Sequence, residues 1–347
     1  MKKLHASLFA TKIAYGTIKK ILLNLTICAS ISLEARIHPH SGVTYALSGG
    51  RLGDNLLAVA HAKWLAHCLK LPLVYFPFAY GDQLKLSVDP SVIPFNSFHF
   101  EDEYYLFHND SYFKLWRQLW SEDYGKPSLL QLAYYSESGQ DYDPPGSFPT
   151  FTQVNWDDPV YIESLRALIA PIAPLPQPQL PADRLTVAIH IRTEVGRDVT
   201  AWEIFTPIFP LKGPPYSYYK DALQCLWKAI EKPMYVFIFT DHPNPPELRD
   251  RFAQAFQGLD IVFDCRVSGN HHNANVLEDF FALGKFDCLI RADSNYSLVA
   301  SKLFKYQFEI YPLHYTRNAN NEITIDRFMM QANARNEFTR TKTAMYK

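Results

Sequence analysis

The stretch LTVAIHI, Leu185–Ile191, decides the predicted fold of this chain. Its apolar and β-branched residues predict a strand buried in a sheet. Similar stretches follow it, with helical patterns between and after them: strands at 235–239, 261–263 and 288–290, helices at Tyr216–Ile230, 246–256, 274–285 and 296–305. Strands that alternate with helices indicate an α/β fold with a mostly parallel, doubly wound sheet.

The amino-terminal half contains a second unit of this kind, built around the glycine turn GGRLG at 49–53. A short apolar stretch at 45–48 precedes the turn, and a helical pattern follows it from Asp54 to residue 70. Asp54 is placed to cap that helix, and 73–78 is predicted as the next strand. The pattern indicates a β-turn-α-β unit, and a further helix is predicted through 111–120.

A proline-rich segment separates the two halves. Residues 171–181, PIAPLPQPQLP, hold five prolines in 11 positions, which is typical of a stiff extended linker. The predicted organisation is therefore an amino-terminal segment at 1–42, a first lobe at 43–170, the linker at 171–181, a second lobe at 182–310 and a tail at 311–347.

The amino-terminal segment allows two interpretations. Lys19 and Lys20 precede 21–33, ILLNLTICASISL, an apolar stretch that resembles the core of a signal peptide with a cleavage site near Ala35. It is too short for an ordinary transmembrane span, and an amphipathic helix is the other interpretation. We expect a cytoplasmic protein. Peripheral membrane contact through this segment and secretion are the alternatives.

Composition excludes several classes of protein. Of the 347 residues, 48% are apolar, enough to bury a sizeable core, and the net charge is −1. Nucleic-acid-binding domains normally carry a basic surplus, so no nucleic-acid partner is expected. The five cysteines are far apart and form no C-x-x-C pair, so neither a zinc knuckle nor a disulfide framework is indicated.

Polar residues that follow the predicted strands are the candidate binding residues, because ligands of open α/β sheets bind at the carboxyl ends of strands. Alternation turns His190 and Arg192 to the same side of their strand. An arginine at a strand tip suits recognition of phosphate or carboxylate. The alternative is that Arg192 pairs with Glu194 on a loop and that His190 belongs to the core.

Further candidates follow along the second half. Asp241 could accept hydrogen bonds from a ribose or a base, or simply cap the next helix. In the helix that contains Glu278 and Asp279, one carboxylate is expected to face solvent and the other the cleft. The stretch DSNYS at 293–297 could cradle an anion with its hydroxyls and free backbone N–H groups, or act as a plain helix cap.

Other templates fit poorly. The stretch SGGRLG at 48–53 differs from the motif G-x-G-x-x-G at one position, because Ser48 stands where the first glycine should be. No acidic residue ends the next strand. A dinucleotide site is therefore weakly indicated. No GK[ST] follows the glycines, and no G-x-S-x-G elbow occurs. Two pairs of histidines, His38 with His40 and His271 with His272, lack the spacing of a structured metal site. No metal is therefore expected.

Taken together, the motifs resemble the fucosyltransferase superfamily that uses GDP-fucose, which includes bacterial α1,2-fucosyltransferases and the α1,6- and protein O-fucosyltransferases. GRLGDN at 50–55 resembles its G-x-(L/F)-G-N-Q turn, and HIRT at 190–193 resembles the start of its H-x-R-R-x-D signature. FTD at 239–241 matches a strand ending in F-(S/T)-D. The acidic helix at 278–279 and DSNYS resemble its last motif, in the family's order across 46–305.

The resemblance implies a GT-B-like fold, with two facing Rossmann-like lobes, mostly parallel sheets and the nucleotide held by the carboxy-terminal lobe. It implies inverting transfer of fucose from GDP-fucose to a hydroxyl of a glycan or related acceptor, without a metal or another cofactor. Arg192 would hold the β-phosphate and stabilise its charge as GDP leaves. His190 and Asp279 would lie near the guanine or its ribose, and residues 294–296 would cradle the diphosphate.

From the first lobe, residues 53–55 would face the fucose and the acceptor. The predicted donor-binding residues are Gly53, Asp54, Asn55, His190, Arg192, Arg197, Asp241, Asp279, Ser294, Asn295 and Tyr296. The predicted catalytic residues are Arg192 and two candidate general bases, Glu194 and Asp198.

The chain departs from the family pattern at two positions. Thr193 stands where the family has its second arginine, and Asp54 stands where the glycine turn has asparagine. Arg197 is close enough in sequence to substitute for the missing arginine. These departures favour an alternative function, a non-catalytic nucleotide- or carbohydrate-binding protein with the same fold. An NAD-dependent oxidoreductase, suggested by the near-miss glycine turn, is a weaker alternative.

Overall fold

A computed structural model describes residues 38–106, 126–132, 154–193, 206–267, 274–332 and 343–346. The amino-terminal segment to residue 37 and the predicted helix at 111–120 lie outside these ranges. Within the described residues, the strands form two sheets, one from each half of the chain. None of the helices in these ranges has the length and apolar character needed to cross a membrane.

The first sheet is parallel throughout its described strands. Its order is β3-β2-β1-β5-β4. The strands are β1 (Gly42–Tyr45), β2 (Leu73–Tyr75), β3 (Val92–Pro94), β4 (Asp102–Leu106) and β5 (Ser128–Leu132). Helix α1 (Leu52–Leu69) connects β1 to β2, and α2 (Pro159–Ile169) follows β5. Asp158 starts α2, because its carboxylate accepts hydrogen bonds from the N–H groups of Val160 and Tyr161.

The second sheet is parallel in its centre and antiparallel at one edge. Its described strands have the order β12-β11-β10-β9-β6-β7-β8. The elements are β6 (Leu185–Ile191), α3 (Tyr216–Ile230), β7 (Met234–Thr240), α4 (Pro245–Ala255), β8 (Ile261–Cys265), α5 (Val276–Leu283), β9 (Cys288–Arg291), α6 (Asn295–Leu303), β10 (Phe308–Arg317), β11 (Ile323–Ala332) and β12 (Thr343–Tyr346). The mixed α/β architecture with mostly parallel sheets is thus confirmed.

The connections of the second sheet create a topological switch point. The chain runs outward from β6 through β7 to β8, and then returns to place β9 on the other side of β6. In such sheets the crevice for a ligand opens between the carboxyl ends of the strands where the direction reverses. Here those ends are the residues that follow Ile191 and Arg291.

The observed elements differ from the predicted ones in both halves of the chain: most ends are shifted by one to three residues, and β3, β4, β5 and α2 were not predicted. Strand β1 lies at Gly42–Tyr45, earlier than the predicted stretch 45–48, and β2 ends at Tyr75. Helix α1 begins at Leu52, so Asp54 is in its first turn and does not precede it. In the second half, β6 and α3 have the predicted bounds.

The predicted tail from residue 311 is wrong as a description of the structure. Strand β10 begins before that point and pairs in parallel with β9, and β11 returns antiparallel to β10. The side chains of Ile325, Phe328 and Met330 are buried against the second sheet. Their neighbours are more exposed, and a sheet covered on one face gives a weaker apolar pattern than the continuous run of β6.

A continuous hydrophobic core joins the two halves of the molecule. It contains Leu56 and Leu57 of α1 together with Val299 and Leu303 of α6. The backbone carbonyl of Leu303 also accepts a hydrogen bond from the Nε of Arg166 in α2. The two lobes are therefore packed against each other through α1 and α6, and this contact positions the cleft.

Candidate functional site

A cavity of about 240 Å³ lies at the switch point of the second sheet and reaches the glycine turn of the first lobe. Side chains from both halves of the chain surround it. The lining residues are Arg51, Leu52, Gly53, Asp54, His190, Arg192, Phe209, Lys212, Phe239, Thr240, Asp241, Ala274, Val276, Asp279, Ser294, Asn295 and Tyr296.

Gly53 allows the two lobes to meet at this cavity. A Cβ atom on Gly53 would lie 2.4 Å from the backbone nitrogen of Tyr296 and 2.5 Å from its Cα. Real Cβ atoms essentially never come within 3.0 Å of a non-bonded heavy atom, so only glycine permits the approach. The starts of α1 and α6 therefore touch at Gly53.

Asp54 connects the same two helix starts. One of its carboxylate oxygens, Oδ1, accepts a hydrogen bond of 2.8 Å from Nδ2 of Asn295. The other, Oδ2, accepts a hydrogen bond of 3.1 Å from the backbone N–H of Arg51. A carboxylate in the first turn of a helix is stabilised by the helix dipole. The aspartate in place of the family's asparagine thus takes part in the contact between the lobes.

Arg192 emerges from the end of β6 into the cavity. Its Nη1 donates a hydrogen bond of 3.4 Å to Oγ of Ser294, the residue that precedes α6. Burial lowers the pKa of the guanidinium, as does the positive charge of Arg51, whereas Asp241 and Asp54 raise it. An arginine side chain stays protonated at pH 7. A partly buried positive charge therefore faces the cavity.

His190 faces the same cavity, as the alternation along β6 predicted. Its ring lies 5.3 Å from the ring of Tyr296, centroid to centroid. Burial lowers its pKa to about 3, with further contributions from the charges of Arg192, Arg291 and Arg51. The imidazole is therefore neutral at pH 7. Its Nδ1 is buried and has no hydrogen-bond partner in the described part of the chain, which suits a hydrogen bond with a ligand.

Thr193 and Asp241 form a clamp between the ends of β6 and β7. The backbone N–H and the hydroxyl of Thr193 both donate to Oδ1 of Asp241, at 2.7 and 3.0 Å. The side chain of Thr193 is buried. The position at which the family pattern has a second arginine therefore has a structural role here, and Asp241 faces the cavity in a fixed orientation.

The acidic pair on α5 is arranged differently from the prediction. Nη2 of Arg266 donates to Oδ1 of Asp279 at 2.7 Å and to Oε1 of Glu278 at 2.6 Å. Both carboxylates are about equally exposed, so the prediction that one faces solvent is wrong. Asp279 lines the cavity. Burial raises its pKa, and Arg266 opposes that effect.

Tyr296 connects α6 to α5 at the cavity wall. Its hydroxyl donates a hydrogen bond of 2.7 Å to the carbonyl oxygen of Val276. Its ring packs edge-on against Phe280, 5.4 Å between centroids. With Ser294 and Asn295, this residue forms the start of α6, which lines the cavity.

Some predicted residues are not brought to the cavity. Asn55 is buried in α1 and is not one of the lining residues. Glu194, Arg197 and Asp198 lie outside the described residues. Within the described ranges, no group of three histidine, cysteine, aspartate or glutamate side chains is arranged to hold a metal ion.

Three lining residues that matter for charge and shape could not be predicted from the motifs. Arg51 stood within the glycine turn but was not selected, although a cation beside a glycine turn is a recognisable anion-binding signal. Phe209 and Lys212 come from a segment without a motif, and Nζ of Lys212 lies 5.8 Å above the Phe209 ring. The backbone N–H of Asp293 donates to the carbonyl of Leu211, which holds this segment beside β9.

The lining charges favour an anionic ligand. Arg51, Arg192 and Lys212 bring three positive charges to one cavity. Each of the three lining carboxylates accepts hydrogen bonds from protein groups. Guanidinium groups bind phosphate and carboxylate in pairs of parallel hydrogen bonds. The cavity can therefore hold a phosphate-bearing ligand next to a neutral histidine.

Comparisons with known proteins show where this architecture occurs. No family model matches the chain, and no curated protein matches it. Among solved structures, a mutant of Arabidopsis thaliana FUT1 in complex with GDP is 13% identical and gives a TM-score of 0.51, over 82% of this chain and 74% of that one.

Two further structures have lower scores. The fucosyltransferase NodZ from Bradyrhizobium is 16% identical, with a TM-score of 0.42 over 85% of this chain and 99% of that one. POFUT1 in complex with GDP is 13% identical, with a TM-score of 0.38 over 77% and 95% of the two chains. The likeness to the Arabidopsis structure is one of fold, and it agrees with the two mostly parallel sheets described above. This chain therefore has a GT-B-like, fucosyltransferase-like fold.

Proposed function

We propose that this chain is a glycosyltransferase that transfers fucose from GDP-fucose to a hydroxyl group of a glycan or related acceptor. The observation that carries the proposal is the position of Arg192. It follows β6 at the switch point of the second sheet, where open α/β sheets bind their ligands. Its guanidinium donates a hydrogen bond to Ser294 at the start of α6. The structural neighbour that shares the fold was solved in complex with GDP.

In the proposed reaction, the acceptor oxygen attacks the anomeric carbon while the bond to the β-phosphate oxygen of GDP breaks. The configuration of the sugar is inverted. Negative charge develops on the departing diphosphate, and Arg192 stabilises it from a partly buried position where electrostatic interactions are strong. The acceptor proton passes to a general base, for which Glu194 and Asp198 stay the candidates. Arginine supplies the positive charge, so the proposal includes no metal and no further cofactor.

The nucleoside would lie along the wall formed by α5 and β6. His190 offers a neutral imidazole with an unsatisfied buried nitrogen, and Asp279 offers a carboxylate held by Arg266. Both can form hydrogen bonds to a base or a ribose hydroxyl. Asn295 and Tyr296 complete the proposed donor site at the start of α6.

A second candidate function is a non-catalytic nucleotide- or carbohydrate-binding protein. The clamp between Thr193 and Asp241 favours it, because this position provides no second arginine. The intact pair of His190 and Arg192 favours the enzyme. Product formation separates the two functions, because the binding protein would bind GDP without turnover.

Ligand-induced stabilisation tests the donor. We expect GDP and GDP-fucose to raise the melting temperature strongly, since a ligand at about a hundred times its Kd adds roughly 2.7 kcal/mol of stability. UDP-sugars and NAD are expected to give small shifts, and NAD binding would instead favour the oxidoreductase. Calorimetry with GDP then gives the Kd. If neither GDP nor GDP-fucose stabilises the chain, the donor assignment is wrong.

Replacing Asp54 with asparagine should strengthen GDP binding while weakening the fold. The substitution removes a negative charge from the cavity that holds the diphosphate, so the Kd for GDP should fall about threefold to tenfold at low salt. It also removes a carboxylate from the first turn of α1, which should lower the free energy of unfolding by about 0.3–1 kcal/mol. Calorimetry and chemical denaturation measure the two effects.

Asp183→Asn is the matched control for this charge change. Asp183 is exposed and precedes the amino-terminal end of β6, whereas the cavity lies beyond the carboxyl end of that strand. The control should leave GDP affinity unchanged. Weaker GDP binding by Asp54→Asn would show that Asp54 does not lie beside the phosphates.

A further inference from the structure

Arg51 is the middle residue of the glycine turn and immediately precedes α1, with an extended backbone at φ −88° and ψ −170°. This conformation leaves its side chain at the wall of the cavity. Its Nη2 atom is buried, and it has no hydrogen-bond partner within the described ranges. Leaving a charged donor buried and unsatisfied costs more than leaving a neutral one, so the arrangement calls for an acceptor in the cavity.

A second guanidinium approaches the same space from the other lobe. Arg192 reaches Ser294 at the start of α6, and Arg51 belongs to the turn whose Gly53 touches the next residues of that helix start. The charge of Arg51 lowers the pKa of both Arg192 and His190. Like charges that act on each other at one partly buried cavity repel, and an anion between them removes the repulsion.

We propose that Arg51 is the second phosphate-binding arginine of this chain, so that one arginine from each lobe holds the donor diphosphate. This inference rests on the proposed function. Thr193 cannot provide that contact, because both of its donors are used by Asp241. The first lobe supplies the missing guanidinium from the glycine turn, in place of residue 193, which follows β6.

The ligand class follows from the arrangement. Two guanidinium groups that line one cavity from different lobes match two adjacent phosphates, each with oxygens free for paired hydrogen bonds. A nucleoside diphosphate should therefore bind much more tightly than the monophosphate. Because the arginines belong to different lobes, the diphosphate would also hold α1 and α6 together at Gly53.

Calorimetry with GDP, GMP and guanosine tests the proposal on the full chain. Arg51→Ala should weaken GDP binding about tenfold to a hundredfold, because a hydrogen bond to a charged group is lost. GMP binding should weaken less, and guanosine binding should not change. Arg51→Gln removes the charge and keeps a polar side chain, so it should show the same loss in a folded protein. Arg51→Lys should recover part of the GDP affinity.

Matched variants separate the outcomes. Arg249→Ala removes a guanidinium that pairs with Asp250 on α4, and it should leave all three affinities unchanged. If Arg192→Ala weakens GDP binding and Arg51→Gln does not, the role of Arg51 is refuted while the proposed function stands. If Arg197→Ala loses GDP affinity and Arg51→Gln does not, the role of Arg51 is refuted and Arg197 is the second phosphate-binding arginine. If the wild-type chain binds no GDP, the proposed function itself fails.

Discussion

Replacing Arg192 with alanine is expected to lower kcat/KM for GDP-fucose about a hundredfold to a thousandfold, the range typical of removing one pre-positioned donor from a transition state. Arg192 is the charged group that β6 delivers to the switch point, and its contact with Ser294 holds it at the start of α6. In the proposed reaction, the charge that Arg192 stabilises grows as the bond to the diphosphate breaks, so the loss should appear in kcat as well as in KM.

The folded state should survive this substitution. Arg192→Lys keeps a positive charge but loses the planar fork, and it should recover only part of the activity. Arg249→Ala serves as the control for removal of a guanidinium elsewhere on the molecule. Circular dichroism and steady-state kinetics make the comparison. Turnover within about threefold of wild type in a folded Arg192→Ala protein would contradict the assigned role.

Replacing Gly53 with alanine is expected to abolish tight GDP binding and to lower the free energy of unfolding by about 1–3 kcal/mol. Alanine favours a helix by up to about 1 kcal/mol over glycine, but the new Cβ would lie 2.4 Å from the backbone nitrogen of Tyr296. Backbone atoms of a packed helix cannot move aside alone. The clash should therefore outweigh the helix preference and separate the starts of α1 and α6.

Gly258→Ala provides a control with a comparable loss of stability but no contact with the cavity. Gly258 has φ +89°, and no atom lies within 4 Å of an added Cβ, so alanine there costs about 1–2 kcal/mol through its backbone alone. GDP affinity should be retained. If Gly53→Ala binds GDP as tightly as Gly258→Ala, the contact between the two helix starts does not shape the site.

The second lobe was largely predictable because its signals are local. LTVAIHI at Leu185–Ile191 is buried on both faces, so its apolar run is continuous and its bounds are clear. The alternation along that strand correctly placed His190 and Arg192 on the same cavity. The strand-end rule also located Asp241 and Ser294 at its wall.

What the sequence could not show are pairings between residues far apart in the chain. Thr193 meets Asp241 across 48 positions, and Asp54 meets Asn295 across 241. Such contacts depend on the packing of the lobes, which no local pattern encodes. The same is true of Arg266, which donates hydrogen bonds to both acidic residues of α5, and of Lys212, whose segment carries no motif.

The shared core of the two lobes has a consequence for the proposed mechanism. Because α1 and α6 pack through Leu56, Leu57, Val299 and Leu303, the first lobe presents Arg51 and Asp54 to the cavity from a fixed position. A pre-organised site of this kind does not have to order these groups when the donor binds. The fold thus sets the charges that would face the proposed diphosphate.

Transfer of fucose by the wild-type chain is the most direct test of this account. The chain would be incubated with GDP-fucose and a set of glycan acceptors, and mass spectrometry with NMR would identify the products. The proposed function predicts release of GDP together with a fucosylated product of inverted anomeric configuration. Tight binding of GDP without GDP-fucose turnover on any acceptor would contradict it and favour the non-catalytic binding protein.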